Sequence, residues 1–324
     1  MLPPAPNLIG AIRSGFDAIT NHILLILFPI VLDLFLWFGP RIRLKGLINS
    51  TIDEIFSITA SQDPSLLEVL NPMQEIWAFY AERLNMLVFL RSYPVGVTSL
   101  IVAKLPLTSP LGVLGYWEIE SFSNVFLAFV LISLVGIIGG TLYFLTVAQA
   151  AVIGDISWRE AFSDWPRASL QMVFLAVLWT AVFLVITIPA SFLFSLVFFS
   201  GAAYSECALL IFAGVVFWLI LPLVFSPHGI VLNKDNFFES VKISANLARK
   251  TLPSTTLFVL AAFLVSKGLD ILWVNPDEVS WLLLIGILGH AFVTTGILAS
   301  SFVYYNDAIQ WIREMMKLRE MKAV

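Results

Sequence analysis

Long apolar stretches separated by short polar connections constrain the fold of this chain more than any other feature. The stretches are residues 23–38, 125–153, 170–199, 209–232, 255–274 and 281–305. A helix that crosses the hydrocarbon core of a bilayer needs about 20 mostly apolar residues, because its backbone groups find no water there. The pattern therefore predicts an all-α polytopic transmembrane helical bundle with six spans.

Composition excludes several classes of protein. With 59% hydrophobic and 12% charged residues, the chain has too little polar surface to cover a water-soluble globule. A net charge of −4 without a clustered basic face argues against nucleic acid as a partner. Cys207 is the single cysteine, so an internal disulfide and a cysteine zinc site are excluded. The expected partners are membrane lipids, with a protein partner or a second copy of the chain left open.

The distribution of Lys and Arg predicts the orientation, because short cytoplasmic loops retain these residues. If the N-terminus is cytoplasmic, the following basic residues are too: Arg159, Arg167, Lys234, Lys242, Arg249, Lys250, Arg313, Lys317, Arg319 and Lys322. The opposite connections, residues 201–206 and 275–280, contain neither Lys nor Arg. We therefore expect a multi-pass protein of the cytoplasmic membrane, a bacterial inner membrane, with both termini cytoplasmic.

A competing topology places the N-terminus outside. It is favoured by Arg41, Arg43 and Lys45, which directly follow the first stretch, and it needs an extra span near residues 84–105. That segment contains Arg91 and Lys104, so it is a poor span, and a re-entrant or interfacial position is the alternative. Residues 1–324 are read as one transmembrane domain, in which residues 39–124 form a helical and turn-rich extracytoplasmic cap.

Two polar connections align at an offset of 79 residues, which places Glu160-Ala161 over Glu239-Ser240. Each is expected to open an amphipathic helix lying in the membrane interface, an elbow before the next span. In the second copy the predicted apolar face is Phe237, Phe238, Val241, Ala245 and Ala248. The pattern has two interpretations: an internally repeated, transporter-like core, or unrelated helical hairpins that share interfacial elbows.

Ionisable residues inside the apolar stretches are the candidate functional residues, because a charge at the bilayer centre costs roughly 3 kcal/mol. The candidate intramembrane polar site consists of Asp33, His290, Lys267 and Asp270. A contact between Asp33 and His290 is predicted as a proton-responsive pair, since His titrates near neutral pH. Single interhelical hydrogen bonds are the alternative. Lys267 and Asp270 lie one turn apart and are expected to neutralise each other.

Sequence motifs for catalysis, phosphate binding or zinc binding are absent, so we predict no catalytic, cofactor-binding or metal-binding residue and no enzyme activity. The preferred hypothesis is an integral membrane protein that organises or assists membrane partners or lipids. The alternative is a small transporter or permease subunit with a proton-responsive Asp/His pair.

Three segments carry a resemblance to known families: residues 32–40, residues 94–100, and the elbows with Glu160-Ala161 and Glu239-Ser240. Together they resemble a group of uncharacterised bacterial multi-spanning membrane proteins over most of the chain. More distantly, the elbow-and-span pattern of residues 125–320 is similar to the membrane domain that accompanies some glycerophosphodiester phosphodiesterases. The resemblance implies a membrane bundle and no activity, because neither family has defined catalytic residues in these segments.

Overall fold

The computed structural model describes residues 6–62, 67–198 and 202–323. Five helical segments in this part of the chain are long and apolar enough to cross a membrane: Phe122–Ile153, Trp158–Leu193, Cys207–Leu232, Leu252–Val274 and Leu283–Leu318. A bent pair of helices near the N-terminus makes a sixth candidate. The predicted all-α bundle with six spans is therefore confirmed, and the chain is a multi-pass membrane protein.

The first span differs from the predicted single stretch. It consists of α1 (Leu8–Asn21), a short 3-10 helix (Ile23–Ile26) and α2 (Leu27–Phe38), with a bend of 93° after α1. Asn7 begins α1 by accepting hydrogen bonds from the backbone N–H groups of Ile9 and Gly10. The predicted stretch, residues 23–38, thus covers only the second arm of a broken element.

Several elements lie between α2 and the span Phe122–Ile153, in the cap and in the segment that passes from it into the bundle. They are β1 (Arg41–Arg43), α3 (Lys45–Gln62), α4 (Leu67–Arg83), α5 (Ile101–Lys104), β2 (Thr108–Ser109), β3 (Gly112–Val113) and β4 (Tyr116–Glu118). β1 pairs with β4 in parallel, with Arg41 opposite Tyr116, and β2 pairs with β3 antiparallel. Helix α4 runs through Pro72 without a break.

The remaining helices form the bundle. They are α6 (Phe122–Ala148, continued by a π-helical turn Gln149–Ile153), α7 (Trp158–Phe198), α8 (Ala202–Ile220), α9 (Ser226–Leu232), α10 (Phe237–Lys250), α11 (Leu252–Val274) and α12 (Leu283–Ala323). The first elbow and its span form one continuous helix, α7, which begins well before the predicted residue 170. Residue 199, the predicted end of that stretch, lies outside the described residues.

The cap is attached to the connection between α11 and α12. Glu278 in this connection accepts a hydrogen bond from Thr108 at 2.8 Å and forms an ion pair with Arg83 at 3.5 Å. Lys104 donates to the carbonyl oxygens of Val274 and Pro276, at 2.9 and 2.6 Å. These bonds fix the cap on one end of the bundle, which we call the cap end.

Residues 84–105 leave the cap and enter the bundle, and we call this segment the inserted loop. It contains a 3-10 turn (Met86–Leu90), an irregular stretch and α5. Its backbone lies directly on two glycines of α6: a Cβ atom at Gly136 would be 2.2 Å from the oxygen of Leu90, and one at Gly140 would be 2.0 Å from the oxygen of Val95. Both glycines are near the middle of the span Phe122–Ile153. Both ends of the segment lie at the cap end, where Arg83 pairs with Glu278 and Lys104 bonds to Val274, so the segment enters the bundle and returns to the same end.

Irregular backbone at this depth needs cover from protein, because lipid cannot satisfy its polar groups. The inserted loop has that cover on its inner face. Val95 and Leu100 are 0% and 1% exposed, and Tyr143 of α6, which is 0% exposed, packs in the same core region. The loop thus lies between α2, α6 and α12, with contacts to all three helices.

The opposite end of the bundle carries both elbows, and they begin in the same way. Ser157 and Asn236 occupy equivalent positions, and their side chains accept hydrogen bonds from the backbone N–H groups of Glu160 and Glu239. The next residue, Ala161 in one copy and Ser240 in the other, is buried in both. The elbows therefore share a local structure as well as a sequence pattern.

The buried face of α10 differs from the predicted apolar face. It consists of Ser240, Ser244, Leu247 and Ala248, whereas Phe238 is 58% exposed. Ser244 donates to the oxygen of Pro222 at 2.7 Å, so small hydroxyl side chains allow α10 to approach the start of α9 closely. That these helices lie in a membrane interface stays a prediction.

Candidate functional site

Asp33 lies in α2 with 0% of its surface exposed, and it holds the inserted loop. Its carboxylate accepts hydrogen bonds from the Ser99 hydroxyl and from the backbone N–H groups of Leu100 and Ile101, the latter two at 3.1 Å. These N–H groups are the free donors at the start of α5, where a carboxylate is a favourable partner. Three bonds explain how a buried carboxylate is tolerated here.

His290 of α12 pairs with Asp270 of α11. The His290 Nδ1 atom lies 2.7 Å from Asp270 Oδ1, and the Lys267 ammonium lies 2.9 Å from Asp270 Oδ2. His290 is 3% exposed, whereas the Lys267 side chain is 47% exposed. The predicted Lys267–Asp270 ion pair is thus present. Because Asp270 also bonds to His290, the three side chains are linked in the order Lys267, Asp270, His290.

The predicted contact between Asp33 and His290 is replaced by two separate arrangements. Asp33 bonds to the inserted loop, and His290 bonds to Asp270. The loop also reaches the α12 helix directly, through a 2.7 Å bond between the Thr98 and Thr294 hydroxyls. Thr294 in turn donates to the backbone oxygen of His290 at 2.7 Å.

Arg91 is the functional candidate that sequence reasoning missed. It ends the 3-10 turn of the inserted loop, next to the residue that contacts Gly136 at mid-span. The charges of Asp270 and Asp33 act on Arg91. The residue as a whole is exposed, and its side chain has no hydrogen bond or ion pair to any residue in the described ranges. The only sequence signal was its position in a segment too polar to span.

Two further polar atoms, the indole nitrogen of Trp179 and Nε2 of His290, lack partners among the described residues. Tyr93 packs edge-on against Trp179 of α7, with ring centroids 4.9 Å apart. The Trp179 side chain is 7% exposed, and its indole N–H has no acceptor within the described part of the chain. The Nε2 atom of His290 is also unpartnered there. We call the set Asp33, Arg91, Lys267, Asp270 and His290 the polar centre.

The other histidines and the cysteine are elsewhere in the fold. His22 lies 3.2 Å from the oxygen of Gly154, and His228 Nε2 lies 2.8 Å from the Ser301 hydroxyl. Cys207 is exposed on α8. Within the described ranges, no three His, Cys, Asp or Glu side chains are grouped so that they could hold a metal ion.

Comparison of the chain with known proteins found no matching family model, curated protein or solved structure. The resemblances that the sequence carries therefore stay predictions, and the function has to be argued from the polar centre itself.

Proposed function

We propose that this chain is a non-enzymatic membrane protein that handles membrane lipids, holding the polar part of a lipid at its polar centre. One observation carries the proposal: the inserted loop packs between α2, α6 and α12, while the cationic residues of the polar centre remain accessible. Val95 and Leu100 are buried in the core, whereas Arg91 is exposed and Lys267 is about half exposed. A ligand therefore approaches from the side of the bundle, where the bilayer is.

The surroundings of the accessible groups support a lipid as that ligand. Leu264 and Ile271, one turn before Lys267 and one residue after Asp270, are 59% and 75% exposed on α11. Apolar side chains at such exposure suit the acyl region of a bilayer. A molecule that reaches the polar centre past them needs an apolar part as well as a polar one, and lipids have both.

The arrangement of basic residues supports an orientation for this site. We propose a cytoplasmic-membrane location in which both termini and the two elbows face the cytoplasm and the cap lies outside. The inserted loop then enters from the outer side, and the polar centre is reached from the outer half of the bilayer.

Lipid retention tests the proposed function. The tagged protein would be extracted with a polymer that keeps a belt of native lipid, then exchanged into mild detergent, and retained lipids and proteins identified by mass spectrometry. We expect a defined lipid class at near-stoichiometric amount. Retention of a stoichiometric protein partner with no lipid would contradict lipid handling and make the chain a subunit of a larger assembly.

A small proton-responsive transporter is the second candidate, and the buried Asp270–His290 pair favours it. In place of the predicted Asp33–His290 pair, His290 would take up and release the proton beside the Asp270 carboxylate. Proton flux into liposomes, compared between wild type, His290→Gln and the control His22→Gln, tests this function. Loss of flux in His290→Gln alone would support transport, and equal flux in all three would exclude it.

A further inference from the structure

We propose that the polar centre binds the anionic phosphate of an acidic lipid headgroup, with Arg91 as its main cationic contact. The inference rests on the proposed lipid handling and deepens it by naming the headgroup chemistry. It follows from which polar groups of the centre already have partners and which do not.

The two carboxylates of the polar centre are satisfied within the protein. Asp33 accepts three hydrogen bonds from the inserted loop, and Asp270 is bonded to Lys267 and His290. The formal charges of Asp33, Asp270, Lys267 and Arg91 cancel. Arg91 is nevertheless the member without a direct partner among the described residues. An unpaired guanidinium at mid-span is costly, so an anion is the expected partner.

An unpartnered hydrogen-bond donor lies against the inserted loop beyond Arg91. Tyr93, two residues further along the inserted loop, is 58% exposed, and its ring packs on Trp179, whose buried N–H lacks an acceptor in the described chain. A guanidinium forms paired, charge-assisted hydrogen bonds with phosphate or carboxylate oxygens, and an indole N–H can only donate. The Arg91 guanidinium and the Trp179 N–H thus both need hydrogen-bond acceptors, and the oxygen atoms of an oxyanion are acceptors.

The location favours an anion carried by a lipid over a free one. The loop surface with Arg91 and Tyr93 lies between α7, which it meets at Trp179, and α11, whose Asp270 acts on Arg91. Both helices present exposed apolar side chains, such as Phe183 at 56% and Leu264 at 59%. A free phosphate would lose its hydration on this route, whereas a lipid would keep its acyl chains in the bilayer.

Binding to full-length protein in nanodiscs tests the inference. The discs would contain neutral phosphatidylcholine with or without a small fraction of phosphatidylglycerol, and bound lipid would be counted by native mass spectrometry. We expect Arg91→Gln to weaken phosphatidylglycerol binding at least tenfold, or about 1.4 kcal/mol. Arg91→Lys keeps the charge but loses the paired geometry, so an intermediate loss is expected.

One control and one further variant separate this site from general attraction to anionic lipid. Arg249→Gln removes an exposed cation at the opposite end of the bundle, and binding should stay within twofold of wild type. Trp179→Phe keeps the ring against Tyr93 but removes the unpartnered N–H, and we expect a loss of about threefold, within the range of one hydrogen bond. Melting temperatures of all variants would be measured in the same discs to establish that they are folded.

Each other outcome overturns a defined part of the proposal. Equal phosphatidylglycerol binding by wild type and folded Arg91→Gln refutes the role of Arg91. Competition by inorganic phosphate at low millimolar concentration refutes a lipid source and indicates a soluble anion. Stoichiometric retention of phosphatidylcholine with no preference for phosphatidylglycerol refutes the anionic headgroup while leaving lipid handling intact, and retention of no lipid refutes both.

Discussion

At the scale of single residues, Asp33 links the sequence to the fold most directly. A carboxylate in an apolar helix is explained by the donors that surround it: one hydroxyl and two backbone N–H groups of the inserted loop. Those donors would otherwise be unsatisfied in the core, where each costs free energy. Asp33 therefore stabilises the loop that builds the polar centre, and its role in any ligand binding is one of positioning.

Replacing Asp33 by Asn tests this role. The amide keeps the size of the side chain but turns an N–H group toward backbone donors, so we expect a loss of about 3 kcal/mol in unfolding free energy. Asp17→Asn, at a side chain that is 69% exposed on α1, is the matched control and should change stability by less than about 0.5 kcal/mol. Thermal unfolding of both variants in one detergent checks the prediction. Equal melting temperatures would show that Asp33 does not hold the loop.

The sequence identified the members of the polar centre better than their pairing. Asp33, Lys267, Asp270 and His290 were recognisable because each is ionisable within an apolar stretch. Spacing within one helix also predicted the Lys267–Asp270 contact. The pairing of His290 and the position of Arg91 depend on how the helices and the inserted loop pack against one another. That packing joins residues far apart in the chain, so it cannot be predicted from the pattern of a single sequence.

At the scale of elements, the inserted loop depends on the glycines of α6. Leu90 and Val95 lie so close to Gly136 and Gly140 that their carbonyl oxygens occupy the space of a side chain. Small residues at helix surfaces commonly allow such close approach in membranes. The GxxxG pattern thus receives an irregular loop, whereas its usual partner is a second helix.

Substitution of these glycines separates packing from helix propensity. In Gly140→Ala the new Cβ atom would be 2.0 Å from the Val95 oxygen, so we expect a loss of about 1–3 kcal/mol as the loop is displaced. At Gly139 nothing lies within 4 Å, and Gly139→Ala should be neutral or stabilise by up to about 1 kcal/mol through helix propensity. Urea or thermal unfolding in detergent measures both. Similar stabilities for the two variants would contradict the close packing of the loop.

Sequence reasoning located the apolar elements and missed their ends. The apolar stretches predicted where each span lies. They did not predict where α7 begins: it starts at Trp158, because its charged first turns continue into the apolar stretch without a break. Residues 84–105 stayed undecided between re-entrant, interfacial and spanning positions. Their polar groups are satisfied by Asp33 and by contacts with α12, and their depth is set by the glycines of α6. Such distant partners leave no local pattern.

At the scale of the whole molecule, charged residues join the cap into one unit. Glu82 of α4 pairs with Lys45 and lies 3.7 Å from Arg43, which also reaches Glu118 at 3.3 Å. The hydrogen bond from Lys45, together with the charges of Lys45, Arg43 and Arg41, holds the pKa of Glu82 below its ordinary value of 4.5. These bonds connect α3, α4 and the β1–β4 pair.

The lowered pKa of Glu82 predicts an acid-sensitive contribution to stability. The stabilisation is fully present above pH 4.5 and is lost as the pH falls through the lowered pKa, because the protonated carboxyl no longer pairs. Glu82→Gln should therefore cost about 0.5–1 kcal/mol at pH 7, since a partly exposed pair is screened by solvent. The melting temperatures of wild type and variant should converge once the pH is below the lowered pKa of Glu82. A gap that persists at low pH, or an equal effect of Glu54→Gln on the exposed face of α3, would contradict this origin.

The orientation of the whole molecule gives the last prediction. Basic residues are concentrated at the end that carries the elbows, which argues for that end being cytoplasmic. Arg41, Arg43 and Lys45 at the cap end oppose this distribution. Their partners Glu82 and Glu118 give them a structural use in the cap, so their presence there does not require a cytoplasmic cap.

Cysteine labelling distinguishes the two orientations. In a Cys207→Ser background, Ser57→Cys places a thiol on the exposed face of α3 and Asn246→Cys places one on the exposed face of α10. An impermeant maleimide added to intact cells should label Ser57→Cys alone, and both variants should react after the membrane is opened. Labelling of Asn246→Cys in intact cells would show that the orientation is the opposite one, with the elbows outside. The polar centre would then be reached from the cytoplasmic half of the bilayer, so this result decides which leaflet supplies its lipid.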